Sequence, residues 1–331
     1  MAWLGLGGRM RRREFIALAG GAAAWPLTVR AQQSSSGLPV VGVLATTPSE
    51  NHDAFVRALQ QLGYTNGGNV RLETRFHGGA VNQPDEMARD LVALKPNIIL
   101  ASNPYAIRAV LNATRDIPVV GVDLESDPVA SGLVKSLSRP GGNFTGFFLD
   151  IPELGGKQIE LLMEAVPGLT RVAIVWDATI GEVQFRATEG ARRPKGVVLQ
   201  SLPIRLAEDF DAALEQAVRN GAQGVILLSS PLIFLRRAHI ADVAAKARLP
   251  TISLFTSFPR FGGLMAYGPN FASIFTQAAE YVVRILAGAR PGELPIQRPT
   301  KFELIINAKA ASAIGLDLPS ALLARADEVI E

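Results

Sequence analysis

Short polar side chains recur where apolar, β-branched runs stop. In the first half, the run beginning at Val40 ends on Thr46 and Thr47. The next, from Asn97, ends on Ser102 and Asn103, and the one from Ile117 reaches Asp123. In the second half, Arg171–Asp177 ends on Asp177 with Thr179 just beyond. Gly224–Ser230 ends on Ser229 and Ser230, and Leu249–Phe255 ends on Phe255 and Thr256. Hydroxyls, amides and carboxylates on rigid strand ends hold a polar ligand through directed hydrogen bonds. Ser102-Asn103-Pro104 and Ser229-Ser230-Pro231 repeat one pattern, a polar pair and then a proline suited to the first helical position. A helix starting there offers free N–H groups and a positive dipole end to an anion. Asn103 and Ser230 are equally suited to plain N-capping. Asp123 and Asp177 could take an ammonium through a charge-assisted bond, or serve as caps or structural ion pairs. Asp127-Pro128 reads as a turn. Phe147, Phe148 and Tyr267 are aromatic candidates for stacking on a ligand, although isolated rings more often fill a core. Tyr267 is the preferred one, because Gly262, Gly263 and Gly268 around it suit a mobile connection.

Catalytic patterns are missing from this inventory. His52, His77 and His239 are scattered without metal-ligand spacing, and His77 before Gly78-Gly79 reads as a loop residue. There is no cysteine, no Gly-x-Ser-x-Gly elbow and no phosphate-binding P-loop. The expectation is a binding protein, not an enzyme, with no cofactor and no metal.

The elements that must position these residues alternate. Amphipathic stretches, such as Phe55, Leu59 and Leu62 at helical spacing, separate the apolar runs. This alternation predicts parallel sheets covered on both faces. It runs to about Leu124, breaks around Pro140-Gly141-Gly142-Asn143, and restarts, giving two successive α/β units. Near the end come an extended stretch at Gly263–Gly268, a helix at Phe271–Ala287, an extended Lys301–Asn307 and a closing helix. These are too few for a third domain. They fit two domains between which the chain crosses near residues 148, 266 and 300.

The first thirty-one residues have the three-part layout of a secretory leader: Arg11-Arg12-Arg13, an apolar stretch from Phe15 to Leu27, and Val29-Arg30-Ala31 before the cut. Arg12-Arg13-Glu14-Phe15-Ile16 adds a twin-arginine pattern, a Tat-type address. Met10 is a second candidate start. The leader holds five arginines and one glutamate, so its removal takes the formal net charge from +3 to slightly negative. No clustered basic face for nucleic acid remains. No later apolar run is long enough to span a bilayer. A soluble, exported, periplasmic and monomeric protein is expected.

Taken together, RRREFIALAGGAAAWPLTVRAQ, SDPVASGLV, RPGGNFTGF, LMAYGPN, PTKFELIIN and LLARADEVIE resemble, in this order, the ABC transporter substrate-binding family that includes binders of aromatic amino acids. The likeness runs through nearly the whole chain from Met10. It implies an α/β clamp of the type I periplasmic-binding-protein kind, two doubly wound parallel-sheet domains joined by a three-strand hinge. The domains would comprise residues 38–148 plus 268–299 and 149–266 plus 300–331. It also implies capture of a small polar organic ligand, such as an amino acid, and delivery to an ABC permease in the inner membrane. A ligand sensor without transport is the alternative, and a hydrolase on a Rossmann-like scaffold a weaker one. The ligand-binding residues expected from the strand ends and crossings are Thr46, Thr47, Ser102, Asn103, Asp123, Phe148, Asp177, Thr179, Ser229, Ser230, Phe255 and Tyr267. One departure stands out: Gly190 and Pro194 interrupt Val183–Lys195, where relatives carry a continuous helix, so that helix should be short or kinked.

Overall fold

Apolar runs covered on both faces pair in parallel, and the first five do so. The computed structural model describes residues 37–79, 83–123, 125–149, 151–191 and 196–331, with the side chains of 151–153 excepted. The leader and Pro194 lie outside the described residues. The first half contains β1 (Val40–Ala45), α1 (Glu50–Gln61), β2 (Arg71–Phe76), α2 (Gln83–Ala93), β3 (Ile98–Ser102), α3 (Pro104–Ala113), β4 (Val119–Asp123) and β5 (Phe144–Phe148). The strands form one parallel sheet in the order β2-β1-β3-β4-β5. That is a doubly wound order, with its switch point between β1 and β3. Along β1, Val41 and Val43 join one core cluster and Leu44 the other, as a two-residue period requires.

The second half contains α4 (Ile151–Ala165), β6 (Arg171–Asp177), α5 (Glu182–Gly190), β7 (Val198–Ile204), α6 (Asp209–Arg219), β8 (Gly224–Leu227), α7 (Pro231–Lys246), β9 (Thr251–Ser253) and β10 (Met265–Pro269). After these come α8 (Phe271–Leu286), β11 (Phe302–Asn307), α9 (Ala308–Ala313), α10 (Ser320–Leu323) and β12 (Glu328–Ile330). The second sheet has the order β12-β11-β10-β9-β8-β6-β7. It departs from the parallel expectation at one pair, β10 with β11. The reason is the route of the chain. It leaves β10 at Pro269, packs α8 on the first sheet beside α1, and returns into β11 at Phe302, which pairs with Pro269. Strands that leave and enter at the same end of a sheet must run antiparallel.

Three connections therefore join the lobes, and each is pinned. The first leaves β5. The stretch preceding β11 lies along that same strand: Thr145 Oγ1 donates to the Leu294 carbonyl at 2.8 Å, and the Phe148 and Gln297 amides make 2.9 Å bonds with Gln297 and Gly146. Gly146 has φ +155, and a Cβ there would lie 1.9 Å from the Gly121 carbonyl oxygen, so only glycine fits. Asn270 ties the other two. Its Oδ1 accepts from Ser273 N at 2.7 Å, capping α8, while Nδ2 donates to Glu303 Oε1 at 2.5 Å.

Two local expectations change. The closing segment ends in a strand, not a helix: Leu322 anchors α10 in the core, and the free edge of β11 then takes up residues 328–330 in parallel pairing. The helix expected over Val183–Lys195 stops at Gly190, consistent with glycine's weak helix propensity.

Candidate functional site

Between the lobes, at the carboxyl ends of their strands, lies a cavity with roughly 650 Å³ of empty space, part of it open to solvent. Its polar wall comes from the first lobe: Thr46 and Thr47 after β1, Ser102 and Asn103 after β3, and Glu125 after β4. Ser49, Asn51 and His52, where α1 begins, continue that wall. The rest of the lining is aromatic and comes from both lobes: Phe234 on α7 and Phe255 after β9 from the second, and Phe271 and Phe275 on α8, which packs on the first sheet. Phe234 meets Phe255 edge-on at 5.1 Å, and Phe255 stacks on Phe271 at 5.8 Å.

Asn103 is the most constrained residue of the polar wall. It sits at φ +96, an uncommon conformation for a side-chain-bearing residue. Its Oδ1 caps α3 by accepting from Ala106 N at 3.0 Å, and its Nδ2 donates to Thr46 Oγ1 at 2.9 Å. The same Nδ2 lies 3.1 Å from Nε2 of His77, whose other ring nitrogen accepts from Gly79 N at 3.2 Å. His77 is fully buried, and burial lowers its pKa to about 4. The ring is therefore neutral in ordinary buffers; with Nδ1 accepting from Gly79, Nε2 carries the single ring N–H, so the ring packs against the Asn103 amide without accepting a bond from it.

The matching helix start in the second lobe is built differently. Ser230 caps α7 by accepting from Ile233 N at 3.1 Å from ordinary extended backbone, and it is fully buried. Ser229 exchanges backbone bonds with the Gln184 side chain at 2.8 and 3.0 Å. Its hydroxyl reaches across the cleft to Glu125 Oε1 at 2.5 Å. Neither serine lines the cavity, although the adjoining Pro231 does.

Five further expected residues lie elsewhere: Asp123, Asp177, Thr179, Phe148 and Tyr267. Asp123 is buried behind Glu125, and its carboxylate accepts from the amides of Glu125 (2.8 Å) and Ser126 (3.1 Å) and from the Ser126 hydroxyl. Burial raises its pKa against those hydrogen bonds. Asp177 faces a second, larger space between the lobes, where it accepts from Thr179 N at 2.9 Å and from the Thr179 hydroxyl. Tyr105 of the first lobe reaches both Asp177 and Thr179 through its hydroxyl, and burial raises that phenol's pKa. Phe148 is a core residue, packed edge-on against Phe144 at 6.1 Å. Tyr267 stacks on Phe302 at 5.8 Å within the second lobe, away from the cavity lining. The Asp127 carboxylate accepts from Val129 N and Ala130 N, closing a turn.

Glu125, His52, Phe234, Phe271 and Phe275 line the cavity without having been singled out from the sequence. Phe271 and Phe275 carry the one usable signal, two rings at i and i+4 just after a capping Asn270, but that spacing equally marks a core stripe. Among the described residues, no group of acids and histidines is placed to hold a metal ion, and no helix is long and apolar enough to cross a membrane.

Two α/β lobes, three connections and a cavity lined from both sides define the type I periplasmic-binding-protein arrangement. The family model described as ABC transporter substrate binding protein matches residues 43–330, and the chain belongs to that family. It is a solute-binding protein of the ABC transporter class, a family of binding proteins and not of enzymes. A tyrosine-binding protein from Clostridioides difficile is 25% identical over 272 residues, 81% of this chain and 77% of that protein. The fold is similar to that of a conserved domain protein from Vibrio cholerae, with TM-score 0.82 and 25% identity over 88% of this chain and all of that one. It is also similar to a Streptococcus pneumoniae ABC domain in complex with L-Trp, with TM-score 0.80 and 20% identity over 89% of this chain and all of that one.

Proposed function

We propose that this protein is the periplasmic receptor of an ABC importer, and that its ligand is an amino acid with an aromatic side chain. The observation that carries the reading is the two-sided cavity. Hydroxyls, amides and one carboxylate on the first lobe share the lining with four phenylalanines, Phe234 and Phe255 from the second lobe and Phe271 and Phe275 from α8. Such a surface suits a molecule with a polar head and a flat apolar body. The tyrosine-binding relative and the L-Trp complex fit that chemistry.

In this reading Thr46, Thr47, Ser102 and Asn103 take the ligand's polar head, and its ammonium meets Glu125, the acid in the lining, in preference to Asp123 or Asp177. The side chain lies against Phe255 and its neighbours. Ser229, Asp177 and Thr179 act in closure, since each bonds to the opposite lobe. The moving bodies are residues 38–148 plus 268–299 and 149–266 plus 300–331. Closure is favoured because only the closed form touches the ligand from both sides, and a ligand shifts an equilibrium only by its differential affinity. Export through the twin-arginine leader, cleavage after Ala31, monomeric action and hand-over to a permease complete the proposal.

A thermal-shift screen against amino acids, nucleobases and small carboxylates tests it. A ligand at one hundred times its Kd adds about 2.7 kcal/mol to apparent stability. L-Tyrosine, L-tryptophan or L-phenylalanine should raise the transition. A response confined to nucleobases or carboxylates would overturn the ligand assignment, and conversion of a bound ligand would overturn the receptor reading.

A further inference from the structure

Behind the aromatic lining of the cavity lies a half-buried cation. Arg237 lies one turn beyond Phe234 on α7, and its guanidinium carbon sits 4.2 Å from the centre of the Phe234 ring. Phe261 also lies against the guanidinium, at 4.1 Å. Phe261 is itself 44% exposed, whereas Phe234 lines the cavity, so Arg237 contacts both a surface ring and a cavity ring. Arg237 donates one bond, from Nη1 to the Phe234 carbonyl at 2.5 Å. Its Nε is buried without any hydrogen-bond partner. Leaving a charged donor in that state costs free energy, and the sequence tolerates it here. Among the described residues, the acid whose charge acts on Arg237 is Glu50, where α1 begins on the opposite lobe. The guanidinium remains charged throughout the working pH range.

A cation held on one face of a benzene ring draws the π density towards itself. The ring then presents a less negative surface to whatever approaches from its other side or edge. Such a surface is a poor seat for an ammonium and a better partner for an electron-rich ring. Cation and ring also fix each other's rotamers, so Phe234 meets the ligand already ordered.

We propose that Arg237 is a specificity-determining positioning residue, which clamps Phe234 and makes the cavity prefer an aromatic ring over a saturated side chain of the same shape. This rests on the ligand class proposed above and deepens it. It assigns a role to a residue that does not line the cavity.

The test compares L-phenylalanine with β-cyclohexyl-L-alanine, by calorimetric titration of the full-length protein and its R237Q and R237K variants. An aromatic contact beyond area burial is worth about 0.5–1.5 kcal/mol, so the wild type should prefer the aromatic ligand by roughly 2- to 12-fold. R237Q keeps part of the stem and loses the charge; its preference should fall to about 1, with circular dichroism unchanged. R237K keeps the charge without the flat stack and should lie between. A merely structural role would weaken both ligands equally and leave the ratio untouched, and that result overturns this proposal alone. Binding of neither compound, nor of L-tyrosine or L-tryptophan, by the wild type overturns the ligand class and this proposal with it.

Discussion

The two lobes begin a helix at the cleft with the same short pattern, and they use it differently. Ser102-Asn103-Pro104 and Ser229-Ser230-Pro231 each place a cap and then a proline at the start of a helix. In the first lobe the cap lines the cavity at φ +96, and its amide donates to Thr46 and packs against His77. In the second, the cap is buried in relaxed backbone, and the residue before it reaches over to Glu125. One motif has become a fixed polar floor and the other a point of contact between lobes. Capping is therefore only the shared minimum of the motif, and what surrounds the cap decides its role.

The most direct way to break the comparison is through His77, which supports only the first motif. An unfolded histidine takes a proton near pH 6.5, whereas the folded His77 does so only near 4. Between those values the unfolded chain binds more protons, so stability is present above pH 6.5 and is lost as pH falls towards 4. The loss amounts to about 3 kcal/mol for a shift of this size. Urea unfolding from pH 7 to 4 should show this slope, and His77→Gln should remove its part of it. An identical slope in the variant would mean that His77 is not held neutral.

Asn103→Ala should be next in size. It removes a cap, worth about 1 kcal/mol, and leaves Thr46 short of a partner, for about 2 kcal/mol in all. Ser230→Ala removes only a cap and should cost about 1 kcal/mol. Asn103→Gly should cost less than Asn103→Ala, because glycine accepts the positive φ. Equal losses for Asn103→Ala and Ser230→Ala in urea titrations would erase the distinction between the two motifs.

Much of this frame is legible in the sequence. β6 runs from Arg171 to Asp177 as its apolar run predicts, and α3 opens after Asn103 and ends at Ala113. Alternation and capping are local, so local residues announce them. The cavity is less legible. Asp123 and Glu125 are two residues apart, yet the strand end turns Asp123 into its own loop and leaves Glu125 at the wall. Phe234, Phe255 and Phe271 come from three elements, and only the return of α8 to the first lobe brings them together. Helical spacing does not distinguish a ring bound for the core from one bound for a cleft. The reversal of β11 was equally hidden, because it follows from where the chain crosses and not from its composition.

The smallest expected effects concern contacts between the lobes, and they separate the floor of the cleft from its flank. Ser229 touches Glu125 beside the cavity, while Tyr105 touches Asp177 and Thr179 at the second space. Each is a side-chain hydrogen bond between the lobes, with a net worth of about 0.5–1.5 kcal/mol. Ser229→Ala removes a hydrogen bond to the buried Glu125 carboxyl and should weaken ligand affinity about fivefold. It acts on the closed form, so the change should appear mainly in the dissociation rate. Tyr105→Phe keeps the ring, and the hydroxyl it loses leaves Asp177 still bonded to the Thr179 amide. Its effect should be about twofold. Stopped-flow release measured on both single variants and the double variant gives the coupling. The bonds lie on separate strand ends and share no partner, so the two losses should add to within about 0.5 kcal/mol. A strongly sub-additive double variant would show that floor and flank close as one contact, and the contrast between the two helix starts would then concern stability alone and not closure.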